Sequence, residues 1–202
     1  ADKTKHFLVK KLIEGYQRSC VSRADTRLPI TPAILSRIVA KLPAICSTLF
    51  ETKLFQAAHT LAFFAFLRVG EFTVSKGFNK ILCLGDVSFS DSGQILYIKI
   101  RHSKTDQMGK GYLIKISKVN ASICPLHYLK QYLQDRPKYD GPLFCHFSGK
   151  PLTRYQFSAV LKSTLSLLGF DYSRYKSHSF RIGAASTAAD IGWSADRSEE
   201  HT

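Results

Sequence analysis

The sequence predicts an α+β chain that is mainly helical and carries one small antiparallel sheet of three strands. Helical spacing of apolar residues recurs in five stretches, at 31–42, 53–67, 125–133, 154–168 and 182–191. Strand character takes over between 81 and 117, in runs joined by turn-forming residues. A content of 45% hydrophobic and 12% aromatic residues in 202 is enough for one sizeable core, with room for a fragment of a second domain.

Taken in order, residues 3–18 carry Phe7, Leu8, Leu12, Ile13 and Tyr16 on one helical stripe, with basic residues on the other face. The run C-V-S-R-A-D-T-R-L-P that follows has no periodicity and contains a proline, which marks a linker and a domain boundary near Arg27. Thr31-Pro32 is an N-cap followed by proline at the first helical position, and Ile34, Leu35, Ile38, Val39 and Leu42 supply a buried face as far as Pro43. Residues 53–67 are so rich in Leu, Ala and Phe that they belong deep in the core. That helix is expected to close on L-R-V-G-E, with Gly70 available for the turn and Arg68 pushed out at the core's edge. A simple ion pair between Arg68 and Glu71 accounts for these residues equally well at this point.

Residues 81–89 and 95–101 read as strands separated by the turn S-D-S-G, and 112–117 as a third. The loop H-S-K-T-D-Q-M-G-K-G, residues 102–111, is long for a hairpin and carries Lys104 near its root. Loops of this kind often hold functional groups, although a lysine there is more often only solvated. Pro125 opens a helix through Leu133, and R-P-K-Y-D-G-P is a turn-rich connection. Residues 154–168 form a helix with Phe157, Val160, Leu161, Leu165 and Leu168 inward, stopped by Gly169.

The stretch S-H-S-F-R-I-G, residues 177–183, then places an imidazole and a guanidinium three residues apart. With Ser177 as N-cap, His178 and Arg181 share the first turn of a helix, where free N–H groups and the helix dipole favour an anion. Residues 182–191, full of Ala and including Gly183, suit a closely packed helix behind that turn.

Twenty-nine Lys and Arg against 15 Asp and Glu give a formal charge of +14, which points to a polyanionic partner. Nucleic acid leads, and an acidic membrane surface trails. The bases cluster, seven to three acids in 1–30, six to one in 99–118 and six to one in 150–181, as a binding track would. The five cysteines include no C-x-x-C pair, so neither a disulfide framework nor a standard zinc knuckle is encoded, and a reducing compartment is implied. Cys124 with His127 and Cys145 with His146 make a zinc site only on paper, and no metal is expected. The longest apolar run, 61–67, is far short of the ~18 residues of a membrane span. No signal peptide or membrane partner is expected.

Arg68 at a helix end, Lys104 on a hairpin, and His178 with Arg181 at a helix start occur in that order. This series resembles the catalytic domain of the tyrosine recombinases, the phage integrase family. The family's first arginine matches Arg68 in L-R-V-G-E, its hairpin lysine matches Lys104, and its H-x-x-R matches His178 and Arg181. In detail, S-K-T-D-Q-x-G-K-G and H-S-F-R-x-G-A-A-S-x-A-A look most like recombinases of eukaryotic mobile elements of the DIRS, Ngaro or Crypton kind. The resemblance covers 28–196 as an incomplete catalytic domain, with 1–27 as the end of an N-terminal core-binding domain and its linker.

The resemblance implies duplex DNA as partner, self-association on DNA in the full-length protein, and DNA recombination and integration without metal or small-molecule cofactor. A tyrosine oxygen attacks the scissile phosphate in line, forming a 3′-phosphotyrosyl link and releasing a 5′-hydroxyl. Arg68 and Arg181 are then the clamp on the non-bridging oxygens, because a guanidinium stays charged and binds two oxygens in one plane. Lys104 gives a proton to the departing oxygen, His178 assists proton transfer, and Glu71 supports Arg68. A eukaryotic element implies the nucleus, and any other origin the cytoplasm.

The family's tyrosine lies past the H-x-x-R helix, whereas all nine tyrosines here precede that place, Tyr172 and Tyr175 included. Trp193 is too early for the family's second His or Trp. The final R-S-E-E-H-T fits neither the family pattern nor the local periodicity and matches a reading frame of a common sequencing adapter, so 197–202 is expected to be a foreign tail. This chain is therefore expected to bind DNA without cleaving it. A domesticated duplex-DNA-binding module without catalysis is the alternative. An unrelated RNA-binding protein would interleave stacking aromatics with bases, a pattern not found.

Overall fold

The axis of the molecule is a helix that is buried on nearly every side, because its sequence, L-F-E-T-K-L-F-Q-A-A-H-T-L-A-F-F, has almost no polar face. The computed structural model describes residues 26–75, 81–101 and 111–191. Its helices are α1 (Pro32–Lys41), α2 (Leu49–Phe64), α3 (Val69–Phe72), α4 (Pro125–Asp135), α5 (Arg154–Leu167) and α6 (Ser179–Asp190). Its strands are β1 (Val87–Phe89), β2 (Ile95–Ile100) and β3 (Tyr112–Ser117), antiparallel in the order β1-β2-β3. The mainly helical α+β class with a three-stranded sheet is what the sequence predicted. The 3–18 helix, the 102–110 loop with Lys104, and Trp193 with the tail lie outside the described residues.

The caps follow the sequence. Thr31 Oγ1 accepts from Ile34 N at 3.3 Å with Pro32 at the first position of α1. Thr153 and Gln156 form a reciprocal box at α5, at 3.1 and 3.0 Å, and Gly169 takes φ +77° just past its end. On α5, Phe157, Leu161 and Leu165 are buried, while Val160 and Leu168 are half-buried against the same core.

Some boundaries differ from expectation. Helix α2 runs from Leu49 rather than from residue 53, because Thr48 caps it by accepting from Glu51 N at 3.1 Å. It ends at Phe64, short of residue 67. The first strand is interrupted by a 3-10 turn at Leu84–Asp86, where the Asp86 carboxylate accepts from Cys83 N at 2.9 Å and pairs with Arg101.

The packing is centred on α2, with α4, α6 and α1 against it. The inner face of the sheet, Leu96, Ile98, Ile100 and Ile116, closes the same core. Two polar side chains work as internal braces. Tyr132 Oη donates toward the Leu143 and Cys145 carbonyls at 3.1 Å each and accepts from Cys145 N at 2.9 Å. The buried Arg136 guanidinium donates to the carbonyls of Pro137, Tyr139, Pro142 and Leu143, and so holds the 136–142 turn. Cys145 is thus a core residue beside Tyr132. Among the described residues, no group of three or more His, Cys, Asp or Glu has metal-binding placement. Nor is any helix there long and apolar enough to cross a membrane.

Candidate active site

The site begins where α2 stops. Ala65 caps it, and Phe66 turns into the left-handed region at φ 51°, a conformation unfavourable for a residue with a large side chain. The turn that the sequence reading assigned to Gly70 is therefore made by Phe66, and Gly70 lies inside α3. Arg68 consequently sits at the N-cap of α3 rather than at the end of α2.

Glu71, the third residue of α3, reaches back to Arg68 twice. Its Oε2 accepts from the Arg68 backbone N at 2.7 Å, and its Oε1 accepts from Arg68 Nη1 at 3.3 Å. Glu71 is buried, whereas the Arg68 side chain remains 32% exposed. The ion pair that the sequence allowed is formed, and it aims Arg68 outward. The Glu71 backbone is fixed as well, since its carbonyl accepts from Leu82 N at 2.7 Å.

From the other side comes α6. His178 is its N-cap, so the cap falls one residue later than the sequence reading placed it, on Ser177. Arg181 is the third residue of the helix. Its Nη1 donates to the main-chain carbonyl of Phe66, which joins the start of α6 to the turn that precedes Arg68. Burial holds the Arg181 guanidinium below its ordinary pKa, the positive charge of Arg68 adds to that effect, and Glu71 and Tyr112 oppose it. Among the described residues, two guanidinium groups thus share one half-buried region with the Glu71 carboxylate. Such a region is short of negative charge and suits a bound oxyanion.

The helix that carries His178 and Arg181 is seated by two neighbours. Phe180, between them, is buried and stacks on His59 of α2 with ring centroids 5.4 Å apart and an interplanar angle of 8°. Gly183 lies directly over the chain at Ile30, where a Cβ would overlap the Ile30 carbonyl oxygen. The close packing expected of Gly183 is therefore present. Ile30 N also donates to Ser179 O at 3.0 Å, and Leu28 N to Arg174 O at 2.8 Å, so the segment leading into α1 runs along the start of α6.

Arg68, Glu71 and Arg181 are brought together across more than a hundred residues of sequence, and His178 stands exposed one turn before Arg181. Sequence reasoning missed one contributor. The Phe66 carbonyl left no readable signal, because phenylalanine is the wrong residue to announce a left-handed turn.

This architecture is the fold of tyrosine recombinase catalytic domains, and sequence likeness supports the tyrosine recombinase/integrase family. Among curated proteins, an integrase/recombinase xerD homolog of Selenomonas ruminantium is 32% identical over 116 residues, 52% of this chain and 32% of that protein. The chain thus spans about a third of the length of this relative. Among solved structures, the XerH site-specific recombinase in its pre-cleavage complex with difH matches over 85% of this chain and 46% of its own, with a TM-score of 0.61 and 14% identity. The lambda integrase dimer bound to a COC′ core site matches over 88% of this chain and 45% of its own, with a TM-score of 0.59 and 15% identity. XerA recombinase matches over 95% and 63%, with a TM-score of 0.59 and 16% identity. No protein-family model matches the chain.

Proposed function

We propose that this chain is the duplex-DNA-binding catalytic part of a site-specific tyrosine recombinase or integrase. The observation that carries this reading is the joining of Arg68 and Arg181, more than a hundred residues apart in sequence, in one half-buried region. There the Phe66 carbonyl and Glu71 fix their directions. A phosphate held there receives two planar donors, and the charge that builds on its oxygens during displacement is met by groups already in place. The xerD homolog and the recombinase–DNA complexes among the structural neighbours support the same class of reaction.

In this reading a tyrosine oxygen attacks phosphorus, the bond to the 5′-oxygen breaks, and that oxygen leaves with a proton from Lys104. His178 assists proton transfer at the phosphate or the tyrosine. No tyrosine among the nine of this sequence is assigned the attack. The motif likeness to DIRS, Ngaro and Crypton recombinases makes a eukaryotic mobile element, acting in the nucleus, the proposed context, with self-association on DNA.

The test is duplex binding across salt concentrations together with cleavage by a protein extended through the family's tyrosine. Affinity should fall steeply and log-linearly with salt, as counterion release requires. In the extended protein, Arg181→Ala should abolish cleavage while much of the binding stays. Equal loss of both would make Arg181 a general DNA contact. Binding without cleavage even in the extended protein would favour the domesticated module.

A further inference from the structure

We infer that His59 is a positioning residue of the site: its imidazole, stacked on Phe180, sets how α6 presents Arg181 to a phosphate. The inference rests on the functional reading above.

His59 lies in the apolar middle of α2, fully buried, and neither of its ring nitrogens has a hydrogen-bond partner among the described residues. Its ring neighbours are Phe55 on its own helix, Phe157 of α5 and Phe180 of α6. Two buried and unpartnered nitrogens cost stability that an all-carbon ring would not. Apolar packing therefore does not call for an imidazole here. What sets it apart is the geometry of its contact with α6.

The imidazole and the Phe180 ring lie 5.4 Å apart, centroid to centroid, and only 8° from parallel. Phenyl pairs in the same core meet at steep angles, Phe72 with Phe157 at 78° and with Phe144 at 77°, and Phe157 is tilted by 49° against Phe180 itself. A phenyl at position 59 would add bulk between α2 and α6, and Phe180 would have to shift or turn to admit it. The parallel stack thus depends on the smaller ring.

Phe180 has little room to absorb such a change. It is fully buried, and α6 is held close at neighbouring positions, where Gly183 lies against the Ile30 backbone and Ser179 O accepts from Ile30 N at 3.0 Å. Arg181 follows Phe180 directly, so a shift of the Phe180 backbone carries Arg181 with it. The guanidinium's bond from Nη1 to the Phe66 carbonyl also runs to the chain just past α2. Arg181 is therefore aimed from α2 at two points, through the ring stack and through that hydrogen bond.

The test uses the chain itself and a random-sequence DNA duplex as probe, with urea unfolding at neutral pH to establish that each variant is folded in the binding buffer. His59→Phe should bind duplex about fivefold more weakly, the scale of one weakened charge-assisted contact. Its salt slope should fall, as it does when a phosphate contact is lost. In an Arg181→Gln background the same substitution should cost no further affinity, because the group that it positions is gone. His59→Leu, which has no ring to stack, should reproduce these effects and keeps the test open if the phenyl prevents folding. Parental affinity and salt slope in a folded His59 variant would overturn the role of His59. So would a loss in the Arg181→Gln background as large as that in the parent, since a merely structural change adds to the loss of Arg181 instead of acting through it. Failure of the parent chain to bind duplex at all is a separate result, and it would sink the functional reading itself.

Discussion

Arg181 Nη1 donates to the carbonyl of Phe66, and Phe66 holds that carbonyl in position from a backbone conformation at φ 51° that its side chain disfavours. The turn is strained where the two arginines meet, and the bond to Arg181 is part of what keeps it there. Phe66→Val should therefore lose about 1–3 kcal/mol of stability and weaken duplex binding, because a β-branched residue tolerates this region worst. Phe66→Gly accepts the conformation freely and should keep duplex affinity, at the cost of the ring's packing. Urea unfolding and duplex titration of both variants check this, and equal duplex affinity for the two would remove the turn from the account of the site.

The next prediction separates support from contact. Glu71 is buried, caps the Arg68 backbone and pairs with its side chain, so Glu71→Ala removes an acceptor from a part-buried N–H and from the guanidinium. Stability should fall by about 1–3 kcal/mol. Duplex affinity under folding conditions should hold or rise, since a negative charge leaves a cationic site. A loss of affinity with unchanged stability would show that Glu71 acts at the DNA and not through Arg68.

Gly183 tests the packing of α6. A Cβ there would overlap the Ile30 carbonyl oxygen, which belongs to backbone that itself bonds to Ser179. Gly183→Ala should cost about 3 kcal/mol or more, although alanine is the better helix former by roughly 1 kcal/mol. A thermal midpoint equal to the parent's would mean that α6 and the Ile30 segment separate easily.

His59 gives the molecule an acid limit. It is completely buried among Phe55, Phe157 and Phe180, and neither ring nitrogen has a hydrogen-bond partner among the described residues. Burial lowers its pKa from 6.5 to about 3 in the folded protein. The unfolded chain therefore binds the proton first. The stability contribution is complete above pH 6.5 and is lost as pH falls from there toward 3. The slope from this one group is about 1.4 kcal/mol per pH unit. His59→Phe should remove that part of the slope, so urea unfolding at a series of pH values should show the two proteins diverging below pH 6.5. Parallel curves would mean that the imidazole is solvated or paired.

Much of this protein was legible along the chain because the deciding forces are local. Thr31-Pro32 before an apolar stripe, the Thr153–Gln156 box and Gly169 after a helix each specify an end within a few residues. The alternation after S-D-S-G specifies strands, and H-x-x-R at a helix start is likewise a local pattern. Its resemblance to the recombinases followed from the order of such patterns. Boundaries were misplaced where a distant partner overrode local preference. Asp86 breaks the first strand because it turns back to Cys83 and to Arg101, fifteen residues on.

The site itself belonged to the tertiary structure. No local preference puts Phe66 at φ 51°. That conformation persists because α2, α3 and α6 converge on it and Arg181 takes up its carbonyl. The sequence by itself determined which helices and strands form and which charged residues sit at their ends. Only the packed molecule decided which of those ends meet, because a guanidinium's partners are groups a hundred residues away that folding alone brings into range.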